Sequence, residues 1–243
     1  MSDVIELFFG TTNPGKVREL RRMVSGLAIR VVSPDDLDRA LPEVVEDGNS
    51  FAENAAKKAS AHARFTGFHA LADDSGLCVD ALGGAPGIHS ARWSEMAGLA
   101  SPACELPRVA ARELGPEVSR AARDEANNDR LLASLEGVPE AQRGARYVAV
   151  LAVARPDGSI VAQVEGTCGG RVGYERRGSG GFGYDPFIIP ETELGRAVRE
   201  VGYRARTMAE LAPEEKDAIS HRGIAFRALR PVLERLAFDK TER

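Results

Sequence analysis

The run from His69 to Ser94, HALADDSGLCVDALGGAPGIHSARWS, constrains this chain more than any other stretch. Its first apolar segment, His69-Ala70-Leu71-Ala72, reads as a buried strand that delivers two consecutive carboxylates, Asp73 and Asp74, into a Ser75-Gly76 turn. A second apolar run follows, then Gly83, Gly84, Pro86 and Gly87, and finally the basic-aromatic pair Arg92-Trp93. Carboxylates at the end of a buried strand are costly to keep ionised. Either they hold a metal or take a proton, or they bond the backbone amides of an Asp-Ser-Gly turn. Neighbouring strand residues project to opposite faces, so Asp73 and Asp74 do not share one proton as an acid dyad would. One faces a cleft and the other anchors the turn; alternation does not decide which.

The N-terminal segment carries the second constraint. Ile5 to Phe9 reads as a strand, and Val17, Leu20, Met23 and Val24 fall on one face of a helix. Between them lie Thr11, Thr12, Asn13, Pro14, Gly15 and Lys16. Such a loop suits a phosphate, because amides and hydroxyls converge at a helix N-terminus and Lys16 adds a full positive charge. It is not a Walker A loop, since Val17 stands where Ser or Thr is required. A plain strand-to-helix turn is the competing reading.

Farther along, Ala28 to Ser33 reads as a strand, and an acidic loop to Gly48 carries Glu43, Glu46 and Asp47. Ser50 to Thr66 is a helix with Ser50 as cap and Glu53 completing a capping box; its Lys57 and Lys58 read as surface charges. Val109 to Leu114 and Asn127 to Leu135 read as helices in a segment rich in Ala, Arg and Glu. Arg146 to Ala154 and Ile160 to Thr167 form an antiparallel pair about the Pro156-Asp157-Gly158-Ser159 turn. The whole reads as α/β, with a mixed central sheet flanked by helices.

Two later segments bear on ligands. Around Gly178-Ser179-Gly180-Gly181-Phe182-Gly183-Tyr184-Asp185, glycines allow a close backbone approach, Phe182 and Tyr184 offer flat faces, and Asp185 accepts hydrogen bonds. That combination suits a planar heterocycle; a glycine hairpin with core aromatics is the alternative. Near the end, Ser220 caps a helix whose first turn holds His221 and Arg222. Cations there oppose the helix dipole, which points to an anion; Lys216 lies five residues earlier.

Composition narrows the class. With 243 residues, 43% hydrophobic and 28% charged, the chain matches ordinary globular proteins. A net charge of -4 argues against a general nucleic-acid partner. Cys78, Cys104 and Cys168 lack a CxxC spacing and read as free thiols in a reducing compartment. No run approaches the roughly 18–20 apolar residues of a membrane span, and no signal peptide is apparent, so the expected location is cytoplasmic.

Taken together, TTNPGK at 11–16, SFAENAAKKA at 50–59, ADDSGL at 72–77, LGGAPGIHSARWS at 82–94, GFGYDPF at 181–187 and EEKDAISHRG at 214–223 resemble the inosine triphosphate pyrophosphatase family, the non-canonical purine NTP pyrophosphatases or dITP/XTP diphosphatases. The resemblance runs in order from about residue 5 to residue 236. It implies a single domain over 1–243 with two lobes and a nucleotide cleft between them. It also implies a homodimer that hydrolyses ITP, dITP and XTP to monophosphate and pyrophosphate with Mg2+. By it, Thr11, Thr12, Asn13, Pro14, Gly15 and Lys16 grip phosphates, Asp74 is proton acceptor and metal ligand, and Ser75 contacts substrate. Phe182, Gly183, Tyr184 and Asp185 contact the base, and Lys216, His221 and Arg222 contact the nucleotide, the last two near the base edge. A 6-oxo purine presents an acceptor where adenine has a donor, so unpaired His221-Arg222 donors would disfavour adenine by about 1–3 kcal/mol.

Two departures stand out. Val45 occupies a position commonly acidic in the family, leaving Glu43 and Glu46 as candidates for the second metal ligand, and the segment of about 94–127 is longer than usual, as an insertion would be. A different base preference with the same mechanism, or a catalytically silent nucleotide-binding protein, are the rival readings.

Overall fold

The computed structural model describes residues 4–96 and 119–241. Strand β1 (Ile5–Phe9) is buried along nearly its whole length, and parallel strands covered on both faces are apolar throughout for that reason. It pairs in parallel with β2 (Ile29–Val32), Leu7 opposite Val31, and in parallel with β3 (His69–Val79), Leu7 opposite His69. Helices make these two connections, as parallel pairing requires: α1 (Pro14–Met23) and α2 (Phe51–Thr66). The sheet continues through β4 (Gly144–Ala154), β5 (Ile160–Val172) and β6 (Ile188–Pro190), in the order β2-β1-β3-β4-β5-β6. The β5–β6 pair is antiparallel, Arg171 opposite Ile189, so the sheet is mixed and the class α/β, as the sequence predicts.

Two compact units divide the chain. The first comprises Met1–Asp74, Ala149–Thr167 and Ser220–Arg243; the second comprises Ser75–Val148 and Cys168–Ile219. In the first unit, Leu7, Phe9, Leu71, Leu151 and Val153 pack with Val17 and Leu20 of α1 and with Phe226, Leu229 and Leu233 of α6 (His221–Thr241). Alternation along the strands turns Phe8, Ala70, Ala72, Val150 and Ala152 toward Ala55, Ala59 and Ala63 of α2. Burying each Leu or Phe contributes about 1.5–3 kcal/mol. The α2 cap is as expected at Ser50, whose Oγ accepts the Glu53 N–H, although Glu53 reaches back to the Asn49 N–H instead of that of Ser50.

In the second unit, Leu77, Val79, Trp93, Tyr147, Tyr184, Phe187, Ile188 and Met208 form one core with Leu131 and Leu135. Around it lie α3 (Arg120–Ser134), α4 (Glu191–Arg199) and α5 (Pro213–Ile219). Helix α3 starts seven residues before the Asn127 start read from the sequence, capped by Ser119 Oγ on the Ala122 N–H. The Val109–Leu114 helix, Cys104 and most of the expected insertion lie outside the described residues. Cys78 and Cys168 are buried.

One sequence reading is corrected. No turn follows Asp74: β3 runs unbroken through Ser75 and Gly76 to Val79. Gly76 is there for proximity, since a Cβ would lie 2.3 Å from the Gly87 carbonyl oxygen and 2.4 Å from Ser90 Oγ. Ser90 Oγ then accepts the Leu77 N–H at 2.8 Å, tying the glycine-rich loop to the strand.

Candidate active site

The first unit gathers the phosphate-type loop and both carboxylates. Asn13 caps α1, its Oδ1 accepting the Gly15 N–H at 2.9 Å, and Thr11 Oγ1 accepts the Asn13 N–H at 3.2 Å. Pro14 occupies the first helical turn, where its missing N–H costs nothing. Asn13 is only 3% exposed, yet its Nδ2 has no hydrogen-bond partner among the described residues. A buried amide donor without a partner costs free energy comparable to a lost hydrogen bond, so a site for an acceptor in this loop accounts for it. Thr12 and Pro14 are exposed, while Thr11, Gly15 and Lys16 are half-buried.

As strand alternation requires, the two carboxylates meet different partners. Asp73 Oδ2 takes Lys16 Nζ at 3.0 Å and Arg222 Nε at 2.7 Å, and Arg222 Nη1 reaches Glu19 Oε2 of α1 at 2.7 Å. Burial pushes the Asp73 pKa upward, but Arg222 and Lys16 outweigh it and hold this carboxyl well below the usual range. Burial lowers the Lys16 pKa in spite of Asp73. The anions facing Arg222 at the start of α6 are therefore the protein's own carboxylates.

Asp74 turns the other way. Its Oδ1 accepts from Lys58 Nζ at 2.7 Å and its Oδ2 from Asn54 Nδ2 at 3.4 Å. The same Lys58 Nζ lies 3.1 Å from Glu46 Oε1 and 3.1 Å from the Asp73 carbonyl oxygen. Asn54 Oδ1 accepts the Gly48 N–H at 2.9 Å, which draws the end of the acidic loop to the same place. Burial raises the Asp74 pKa more than Lys58 lowers it; the Lys58 pKa is raised, burial being overcome by Asp74 and Glu46.

Lys58 was read from the sequence as a surface charge. That holds for Lys57, which pairs with Asp47 at an exposed position, but Lys58 is 13% exposed and central to the cluster. The signal that finds it is the four-residue step from Asn54, which puts both side chains on one helical face. Of the two acids proposed for the metal, Glu46 joins Asp74 at Lys58, and Glu43 is exposed on the loop. Two carboxylates and a carbonyl converging on one point form a hard oxygen donor set suited to Mg2+, which keeps several waters and takes few protein ligands. Among the described residues no group of three or more His, Cys, Asp or Glu side chains is gathered for a metal.

The second unit holds the glycine-aromatic segment. Asp185 Oδ2 accepts from the Phe182 N–H at 2.9 Å and Lys216 Nζ at 2.9 Å, and its Oδ1 accepts from Tyr147 OH at 3.2 Å. Tyr184 OH donates to the Ser90 carbonyl at 2.9 Å. Lys216 Nζ also stands 4.8 Å from the centroid of the Phe182 ring, a cation–π contact. Phe182 is half-buried, whereas Tyr184 and Asp185 are buried. Ser75 begins this unit's share of β3, and His221 is buried at the start of α6 in the other unit.

A mixed-sheet α/β fold with these helices is shared with solved structures. The chain is similar to a HAM1 protein from Coxiella burnetii, with a TM-score of 0.71 at 31% identity over 94% of this chain and 98% of that one. It is similar also to a nucleoside-triphosphatase, dITP/XTP pyrophosphatase, from Mycobacterium abscessus, with a TM-score of 0.61 at 38% identity over 93% and 100%. The sequence model of the Ham1 family matches residues 7–232, and the chain belongs to that family. A relative named dITP/XTP pyrophosphatase from Anaeromyxobacter dehalogenans is 65% identical over 235 residues, 96% of this chain and 99% of the relative. Another of that name from Streptomyces avermitilis is 45% identical over 95% and 98%.

Proposed function

We propose that this chain hydrolyses non-canonical purine nucleoside triphosphates, dITP and XTP with ITP, to the monophosphate and pyrophosphate. The observation that carries the reading is the convergence of Asp74 and Glu46 on Lys58 in the first unit, in a chain 65% identical to a relative named for that activity.

The first unit is assigned the triphosphate. Thr11, Thr12, Asn13, Pro14, Gly15 and Lys16 form the loop for the phosphate oxygens, and the unpartnered Asn13 Nδ2 supplies a donor. Asp73 orients Lys16 through their 3.0 Å contact. Asp74 accepts the proton of the attacking water, and Ser75 follows it as a substrate contact. Asp74 and Glu46 are the side chains that would hold Mg2+. When bound, that ion neutralises phosphate charge and polarises the bond broken between the α- and β-phosphates. Lys58 keeps the two carboxylates together.

The second unit is assigned the base. Phe182 presents the stacking face and Gly183 allows the close approach, while Tyr184, Asp185 and Lys216 hold them in place through the bonds described. His221 and Arg222 stay assigned to the nucleotide, with Arg222 bound to Asp73 and Glu19. The reading includes a homodimer in the cytoplasm acting on a small-molecule nucleotide, not on nucleic acid or a membrane; no described helix is long and apolar enough to cross one.

The test is Mg2+-dependent release of pyrophosphate from ITP by wild type and Asp74→Asn. Pyrophosphate is expected, with about a 10²–10⁴-fold loss in the variant, the usual contribution of a general base. Release of orthophosphate, or a variant that keeps most of its activity, would sink the mechanism. Equal rates on ATP and ITP would remove the base preference.

A further inference from the structure

Helix α3 grips the base-facing loop at both peptide groups of a single residue. The Gly183 N–H donates to Asp124 Oδ2 at 3.0 Å, and Asn128 Nδ2 donates to the Gly183 carbonyl at 3.1 Å. A spacing of four places the two side chains on one face of the helix. Gly183 has φ 62°, a conformation that glycine adopts without strain and residues with side chains seldom do. One residue earlier, the Phe182 N–H is held by Asp185 and the Phe182 ring lies over Lys216. The platform is thus pinned on one side by Asp185 and on the other by α3.

The character of the two α3 residues argues for more than packing. Asn128 is 2% exposed; its Nδ2 is committed to Gly183, and its Oδ1 has no hydrogen-bond partner among the described residues. Burying that oxygen without a partner costs free energy that the bond to Gly183 has to offset. Asp124 is half-buried, and burial raises its pKa.

We propose that Asp124 and Asn128 are positioning residues that set the Gly183 peptide, and through it the Phe182 face, for the purine. Neither is placed against substrate; both act through Gly183. The inference rests on the proposed pyrophosphatase activity.

The experiment measures kcat and KM for ITP with Mg2+ in wild type, Asp124→Ala, Asp124→Asn and Asn128→Leu, alongside thermal unfolding of each. Losing one hydrogen bond to the loop should raise KM about fivefold in Asp124→Ala and in Asn128→Leu, with kcat within about twofold of wild type. Asp124→Asn retains an acceptor oxygen and should restore the wild-type KM. Asn128→Leu leaves the Gly183 carbonyl without its donor and should also unfold somewhat earlier than wild type, so recovery of KM in Asp124→Asn is the result that a merely structural role would not give. If Asn128→Leu fails to fold, the Asp124 pair decides alone. Unmoved KM values, a loss confined to kcat, or an Asp124→Asn as impaired as Asp124→Ala would overturn the inference while the activity stood. A wild type that releases no pyrophosphate would remove the activity and the inference with it.

Discussion

Replacing Lys58 by Met tests the electrostatics of the candidate metal site directly. Met keeps the unbranched stem and removes the ammonium, leaving Asp74 and Glu46 facing each other where Nζ had stood 2.7 Å from one and 3.1 Å from the other. Breaking a fully buried ion pair from one side costs about 3–5 kcal/mol. Here the Asp74 side chain is 8% exposed but that of Glu46 is 31% exposed, so water offsets part of the loss. Asp74 can also take up a proton, since burial already raises its pKa. We therefore expect a cost of about 2–3 kcal/mol at pH 8, and a smaller one at pH 5, where that proton binds more readily. Urea unfolding in EDTA at the two pH values measures it. Added Mg2+ should then stabilise Lys58→Met more than wild type, by about 1.4 kcal/mol for each tenfold excess over its dissociation constant. A variant as stable as wild type at pH 8 in EDTA would refute the placement of Lys58 between the two acids. Equal stabilisation of both proteins by Mg2+ would mean that the ammonium does not stand where the cation would bind.

Two further outcomes follow from His62, which is buried beneath the start of the first loop with its Nδ1 unpartnered among the described residues. Burial, with Lys58 nearby, lowers its pKa from 6.5 to about 4. The unfolded chain therefore binds the proton first, and the stability His62 contributes is whole above pH 6.5 and lost as pH falls toward 4. Between those limits wild type should lose about 1–3 kcal/mol more than His62→Leu in urea unfolding; parallel pH profiles would contradict this. Gly10→Ala puts a Cβ 2.0 Å from His62 Nδ1. Overpacking of this kind costs about 1–3 kcal/mol and should displace the loop, raising KM for ITP; adding His62→Ala should recover part of the stability, and no recovery would place the strain elsewhere.

Much of the frame was legible along the chain because it rests on local rules. A short apolar run marked β1, period-3.6 apolar spacing marked α1, and the Ser50 capping signal marked α2, whereas the Asn13 cap of α1 was not singled out. Alternation put Asp73 and Asp74 on opposite faces without deciding which does what. Where the reading failed, the cause was long-range. Ser75-Gly76 has turn chemistry, but the approach of Gly87 and Ser90 keeps it extended. Lys57 and Lys58 are chemically the same, and only the helical phase set by packing α2 on the sheet turns one outward and the other onto Asp74.

By itself, then, the sequence determined which groups could carry a phosphate, a cation and a flat base, since spacing and residue chemistry are properties of a few neighbouring residues. Which charges neutralise one another was decided by tertiary structure. Arg222 reaches Asp73 across 149 positions and Glu19 across 203. Nothing local distinguishes such partners; only assembly of strand and helices brings them within 3 Å, where burial makes an unpaired charge too costly to keep.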